Sequence, residues 1–208
     1  MDFWSEFDLI AGEHTVLRHP FYVRWSAGEL SLEELADYSG QYRHAVVALA
    51  QASASAAAGA DDDSRDGLAR HAAEEAGHVA LWDEFVDAVG GRRDAAARPE
   101  TDACARIWSG DDGRGQLATL VALYAIESAQ PQIARTKREG LAAHYGIEGP
   151  GAAYFELHEQ LDVEHAEAAR GLIDARLSGA DHDELLSEAD AVLRSNWVLL
   201  DGVERIAA

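Results

Sequence analysis

The chain is poor in several things, and each shortage closes off a class of function. One cysteine, Cys104, stands among 208 residues. That excludes an internal disulfide and any metal cluster built on thiolates. Proline occurs 4 times, valine and isoleucine are sparse, and alanine makes up about a fifth of the chain. Such a mixture favours helix over sheet. Lysine and arginine number 17 against 38 acidic residues, which gives a formal net charge of −21 and a pI of about 4.6. A field of that sign repels phosphate backbones and anionic lipid surfaces, so neither nucleic acid nor membrane is expected as a partner. No apolar run approaches the roughly 18 residues that a membrane span needs. The opening Met1-Asp2-Phe3-Trp4 has no basic stretch leading into an apolar one, so it does not read as a secretory signal. A cytoplasmic setting is the expectation.

A hydrophobic fraction of 48% and a charged fraction of 26% suit one globular domain over residues 1–208. Its apolar period is helical almost throughout. Two short helices, split at His19-Pro20, come before Ser31. Ser31-Leu32-Glu33-Glu34 has the form of a capping box, so a long helix is predicted from there to about Ala58. Another runs past Leu68, Trp82 and Phe85 and stops at Gly90-Gly91. A shorter helix follows Pro99, and one is predicted from about Gly115 to Gly140. The last two begin after Gly149-Pro150-Gly151 and near Asp181, the second running to the end of the chain. The expected architecture is all-α, a bundle of seven or eight helices.

Three motifs carry chemistry. The first is His158-Glu-Gln-Leu-Asp162-Val-Glu-His165. At 100° per residue Asp162 sits about 40° from His158, with His165 about 20° to the other side. Three metal-ligand types therefore line one stripe, and burying them together is costly unless a cation compensates. The second is Glu74-Glu75-Ala76-Gly77-His78. Glu75 and His78 have the Glu-x-x-His spacing of di-iron carboxylate bundles. Glu74 lies four residues from His78, so either glutamate fits. His71 shares the stripe, as a further ligand or a group supporting one. The third is Glu127, in an apolar run where a core residue belongs. Pro131, four residues later, has no N–H for the Glu127 carbonyl, and a kink is expected there. Glu75 (or Glu74), His78, Glu127, His158, Asp162 and His165 are too many donors for one ion with open positions and suit two. Imidazole with carboxylate and no thiolate favours iron, with manganese as the alternative in one or both positions.

In the order of its helices and in these motifs the chain resembles the haem-oxygenase-like di-metal oxidases and oxygenases, and within them the CADD-like branch, which shares its fold with TenA and PqqC. The likeness covers nearly the whole chain. It runs through His19-Pro-Phe-Tyr-Val-Arg-Trp25, Tyr38 to Tyr42, Glu74-Glu75-Ala-Gly, His78-Val-Ala-Leu-Trp82, Leu123-Tyr-Ala-Ile-Glu-Ser128, Thr136-Lys137-Arg138 and Tyr154 to His165. The resemblance implies two metals held by a Glu and a His of one helix, a Glu of the next, and the His-x3-Asp-x2-His set. It also implies that p-aminobenzoate is built from one of the protein's own tyrosines, with a lysine as amine source and dioxygen as co-substrate. Tyr22 and Lys137 stand at those positions. Two features depart from the pattern. Gly77 directly precedes His78, and Ile126 stands where relatives often carry a second aromatic.

Other substrates and activities fit the same fold. An oxidase of this kind can act on a small amine, amino acid or fatty acid from solvent. A haem oxygenase would use one axial histidine near the N-terminus, His14 or His19. A TenA-like hydrolase would need a nucleophilic cysteine, and only Cys104 is present. An interaction protein would need no ligand set. The aromatic-rich start, with Phe3, Trp4 and Phe7, leaves an apolar face that a homodimer would cover.

Overall fold

The computed structural model describes residues 1–110 and 113–204, and their regular structure is entirely helical. Nine α-helices are formed among them: α1 Phe3–Glu13, α2 Pro20–Ala27, α3 Leu32–Ala58, α4 Arg65–Ala88, α5 Pro99–Ser109, α6 Gln116–Glu127, α7 Gln130–Gly140, α8 Ala153–Asp174 and α9 His182–Glu204. The expected run of the last helix beyond residue 204 lies outside the described residues.

Local chemistry sets the ends. The Asp2 side chain accepts from the Ser5 N–H at 3.1 Å and opens α1. His19 caps α2, its Nδ1 accepting from the Phe21 N–H, and Pro20 takes the first helical position, where no N–H is needed. The capping box at Ser31 is fully formed. Its hydroxyl accepts from Glu34 N–H at 3.1 Å, and the Glu34 carboxylate accepts from Ser31 N–H at 2.7 Å.

One expected helix is two. The predicted run from Gly115 to Gly140 breaks after Glu127, and α7 restarts at Gln130 with Pro131 in its first turn. The break satisfies Pro131, which has no N–H to give to the turn above it. It ends α6 on Glu127 and gives α7 a register of its own. That helix continues into one π-helical turn, Leu141–Tyr145. Its Gly140 is required by packing, since a Cβ there would lie 2.7 Å from Trp25 Cδ1 of α2. Arg135 and Arg138 of α7 both donate to Glu159 of α8 at 2.9 Å.

Helix α3 packs on α4 and α5, α8 packs on α4, α6 and α7, and α9 closes the bundle against α1, α5 and α6. The N-terminal aromatics are covered within the chain, which corrects the reason given for a dimer. Phe3 and Phe7 are buried. Trp4 packs edge-on against Tyr124, with ring centres 5.0 Å apart, and carries Arg170 4.3 Å above its ring. No helix among the described residues is long and apolar enough to cross a membrane.

The capping box yields a first test. Ser31→Ala removes a cap worth about 1 kcal/mol, which should lower the thermal midpoint by roughly 2–4 °C in a chain of this size. Calorimetry of the two proteins checks it.

Candidate metal centre

Three helices deliver seven donor residues to one interior space. His71, Glu75 and His78 come from α4, Glu127 from the last position of α6, and His158, Asp162 and His165 from α8. His71-x3-Glu75-x2-His78 has the same spacing as His158-x3-Asp162-x2-His165. The two frames meet antiparallel. The rings of His71 and His165 lie 4.3 Å apart at one end, and those of His78 and His158 lie 4.5 Å apart at the other. Donor atoms of His71, Glu75, Glu127 and His165 gather within 4.8 Å of one another, as do those of Glu75, His78 and His158. Glu75 belongs to both groups. Sequence reading noted the stripe through His71 but missed the repeated spacing, a signal that would have placed His71 among the donors.

Their polar atoms converge without pairing. Both carboxylate oxygens of Glu75, Glu127 and Asp162 lack a hydrogen-bond partner, and so do His71 Nε2, His78 Nδ1, His158 Nε2 and His165 Nδ1. His71 Nε2 lies 2.9 Å from Glu127 Oε1, and His78 Nδ1 lies 2.9 Å from Glu75 Oε1, in neither case with hydrogen-bond geometry. Buried polar groups are normally bonded, and ten orphaned atoms around one space are what a metal-binding cradle leaves when protein contacts alone are counted. An N/O donor set of four imidazoles and three carboxylates fits iron or manganese.

Supporting contacts orient the imidazoles. His158 Nδ1 lies 2.7 Å from the Tyr154 carbonyl, which can only accept, so Nδ1 carries the proton and Nε2 faces the centre as a lone pair. His165 Nε2 donates to Glu74 at 3.0 Å, which leaves Nδ1 toward Asp162 at 3.6 Å. This contact separates the two adjacent glutamates. Glu75 is 1% exposed and inside, while Glu74 is 38% exposed on the rim and turns His165. Burial favours the neutral form of Asp162 and raises its pKa. Burial also acts on Glu75, but His78, His158 and His71 outweigh it and hold its pKa below the ordinary value. For His165, burial is outweighed by Asp162, Glu127 and Glu74, and its pKa rises to about 9.

Tyr22 and Lys137 lie together in a second buried cluster, packed among rings. Tyr22 is 1% exposed and Lys137 2%. The Lys137 Nζ lies 4.7 Å from the centre of the Tyr42 ring, 5.1 Å from Tyr22, 5.5 Å from Phe155, 5.6 Å from Tyr38 and 5.8 Å from Trp82. No carboxylate among the described residues pairs with it. Burial lowers its pKa from 10.5 to about 7, while the π faces around it favour the charged form. The Tyr22 and Tyr38 hydroxyls bond each other at 3.1 Å, and burial raises both phenol pKa values well above the usual range.

A family model described as "iron-containing redox enzyme" matches residues 36–197. The chain belongs to that family. It is 34% identical to the 4-aminobenzoate synthase of Chlamydia trachomatis serovar D over 97% of this chain and 91% of that one. It is 30% identical to the 4-aminobenzoate synthase of Nitrosomonas europaea over 97% and 90%. The fold matches that of a TenA homologue from Pseudomonas syringae with a TM-score of 0.83, at 17% identity over 98% of this chain and 91% of that one. The haem-oxygenase-like fold expected from the sequence is thereby shown.

Within this redox-enzyme chain, the residues that other activities would need have structural work. His14 bonds Asp190 at 2.8 Å, and His19 bonds Asp201 at 3.2 Å while capping α2. Cys104 is buried against the Ser195 hydroxyl, and burial pushes its thiol up to about 12. A cavity of about 460 Å³ includes His71 and His165 in its lining, with Leu68, Leu120, Leu123 and Leu161 on its apolar side and Asp63, Arg70, Glu74 and Glu164 on its charged side.

Lysine burial gives a pH-dependent test. The unfolded chain takes up the Lys137 proton below about 10.5, but the fold takes it up only below about 7. Wild-type stability from this group therefore rises with pH across that window and is lost as pH falls through it. Lys137→Met, which needs no proton, should stabilise the protein most at pH 6 and least near pH 10, the gain falling by about 1.4 kcal/mol per pH unit only above pH 7 and levelling off below it. Denaturant unfolding of both proteins across that range checks it.

Proposed function

We propose that this protein is a dioxygen-dependent di-iron oxidase that makes 4-aminobenzoate from its own Tyr22, with Lys137 supplying the nitrogen. The observation that carries this reading is the placement of Lys137. Its amine is sealed in a ring-lined space with Tyr22, 5.1 Å from that ring, in a chain whose metal-donor cluster adjoins the same wall of rings. Relatives named 4-aminobenzoate synthase at 30–34% identity support it.

His71, Glu75, Glu127 and His165 would hold one metal ion, and Glu75, His78 and His158 the other, with Asp162 between the two imidazoles of its own frame. Bound iron supplies one-electron redox steps and a place for dioxygen. The protein does the rest. Glu75 belongs to both donor groups and would serve both ions. The Tyr154 carbonyl and Glu74 hold the protons of His158 and His165 away from the centre. Burial keeps a useful fraction of Lys137 as free amine near neutral pH, the form that attacks carbon. The surrounding rings exclude water, which would otherwise compete for an oxidised ring.

A second reading has its own observation. The cavity beside the centre includes His71 and His165 in its lining. A cavity with an apolar side and one lining arginine, Arg70, suits a small amphipathic molecule such as a fatty acid, oxidised with turnover.

One experiment separates the two. Protein loaded with ferrous iron is exposed to dioxygen and analysed by intact and peptide mass spectrometry. The expected result is a mass loss at Tyr22 with free 4-aminobenzoate in the filtrate, and neither in Tyr22→Phe. An unchanged Tyr22, with dioxygen still consumed by Tyr22→Phe, would leave the external-substrate oxidase.

The ligand assignment predicts graded losses. Glu75→Ala, His158→Ala or Glu127→Ala should each lose at least one iron equivalent per chain by metal analysis. Glu74→Ala should keep both sites and weaken metal affinity by about 10–100-fold, as expected for a group that only orients a ligand.

A further inference from the structure

We propose that Tyr42 is the positioning residue that holds the Lys137 amine against Tyr22. This rests on the reading of Lys137 as the nitrogen donor and adds what aims it. Lys137 is the single lysine among the 208 residues, and it is buried. A long, flexible side chain must be fixed at its end before it can react at one carbon. Among the described residues no carboxylate does this, and burial alone shifts the amine. Five rings lie near its Nζ, and Tyr42 is the nearest at 4.7 Å, ahead of Tyr22 at 5.1 Å. The π face of that ring attracts the ammonium form directly.

Nearness alone would not single out one ring of five. The far end of Tyr42 does. Its hydroxyl is hydrogen-bonded by the side chains of Gln130 and Asn196, both buried. The Asn196 amide oxygen has no partner, so its NH2 is the group that serves the phenol. Gln130 is the first residue of α7, and Lys137 stands seven residues later, two turns along the same face. Tyr42 therefore bridges two points of α7, with its hydroxyl pinned at the start of the helix and its ring beside the amine. Trp82 and Tyr38 hold the ring from its sides, each with ring centres 5.2 Å away, at 33° and 36°. Trp108 meets it edge-on at 6.2 Å.

The other four rings are tied elsewhere. Tyr22 and Tyr38 bond each other through their hydroxyls, Trp82 donates to the Ser39 carbonyl of α3, and Phe155 has no polar atom. Among the described residues Tyr42 alone links the helix that carries the amine to the face on which the amine rests. The ring neighbours of Tyr22 are Phe21, Trp25 and Tyr38, so Tyr42 does not touch the ring that reacts. It acts through Lys137. Without the Tyr42 ring the lysine end is free to move among the remaining rings. Oxidation of Tyr22 would then run ahead of nitrogen transfer, and less 4-aminobenzoate would form for each Tyr22 consumed.

Two measurements test this. Iron-loaded protein is exposed to dioxygen, and mass spectrometry gives 4-aminobenzoate released and Tyr22 lost. The two should match in the wild type. Iron-replete Tyr42→Leu should yield at least about tenfold less product per Tyr22 lost. Tyr42→Phe, which keeps the ring and loses both hydroxyl bonds, should yield about threefold less. General damage to the fold would lower both quantities and leave their ratio alone. In the second measurement zinc replaces iron, and lysine labelled with ¹³C at Cε gives one NMR signal, because the chain has one lysine. Ring currents should displace that signal from the free-lysine position in the wild type, and Tyr42→Leu should return it part of the way. A wild-type ratio or an unmoved lysine signal in Tyr42→Leu would overturn the role of Tyr42 and leave the 4-aminobenzoate reading standing. Should Tyr42→Leu fail to fold, a wild-type ratio in Tyr42→Phe would do the same. Loss of Tyr22 consumption with iron retained would place Tyr42 in the oxidation instead and overturn it too. An unchanged wild-type Tyr22 would overturn the parent reading and this role together.

Discussion

The convergence of three buried carboxylates on one space is the constraint from which the rest of this molecule follows. Among the described residues no lysine or arginine pairs with Glu75, Glu127 or Asp162, and their charged neighbours are histidines. An uncompensated carboxylate in a protein interior costs several kcal/mol, and three side by side repel one another as well. Two divalent ions would remove both penalties. On that reading metal binding and folding are one equilibrium, and the bound ions stabilise this part of the bundle directly.

The helix break after Glu127 organises the space around that constraint. It lets α6 end on a carboxylate, and it frees α7 to turn Lys137 inward while Arg135 and Arg138 anchor the same helix to Glu159. A continuous helix through Pro131 would carry one fixed register from Glu127 to Lys137. The interior thus holds two clusters, one of candidate metal donors and one of rings packed around the Lys137 amine. Tyr154 and Trp82 are the wall between them. The cavity lies at the opposite end, beside His71 and His165.

Much of this was legible in the sequence because helical period is a geometric rule. His158, Asp162 and His165 could be placed on one stripe from spacing alone, and the capping box at Ser31 fixed the start of α3. What spacing could not choose was Glu75 over Glu74, since both lie within a turn of His78. The choice depends on His165, a partner 91 residues away that Glu74 holds from the rim. The burial of Lys137, a residue that the family resemblance names, was hidden for a different reason. Thr136, Arg138 and Glu139 surround it in sequence, as on any solvated helix face, and only the packing of α7 on α2 and α8 shows that it points inward. Pro131 announced a kink, but a full break needed the restart at Gln130. The aromatics of α1 suggested a partner chain because an apolar face in sequence does not say what covers it. Here α9, Tyr124 and the guanidinium of Arg170 do.

Anomalous diffraction at the iron edge, from crystals of the iron-loaded protein, bears most directly on the paired centre. Two peaks are expected, one between His71 and His165 and one between His78 and His158, with Glu75 in contact with both. A single peak, or iron bound away from these residues, would contradict a di-iron centre built on the two matching frames of α4 and α8.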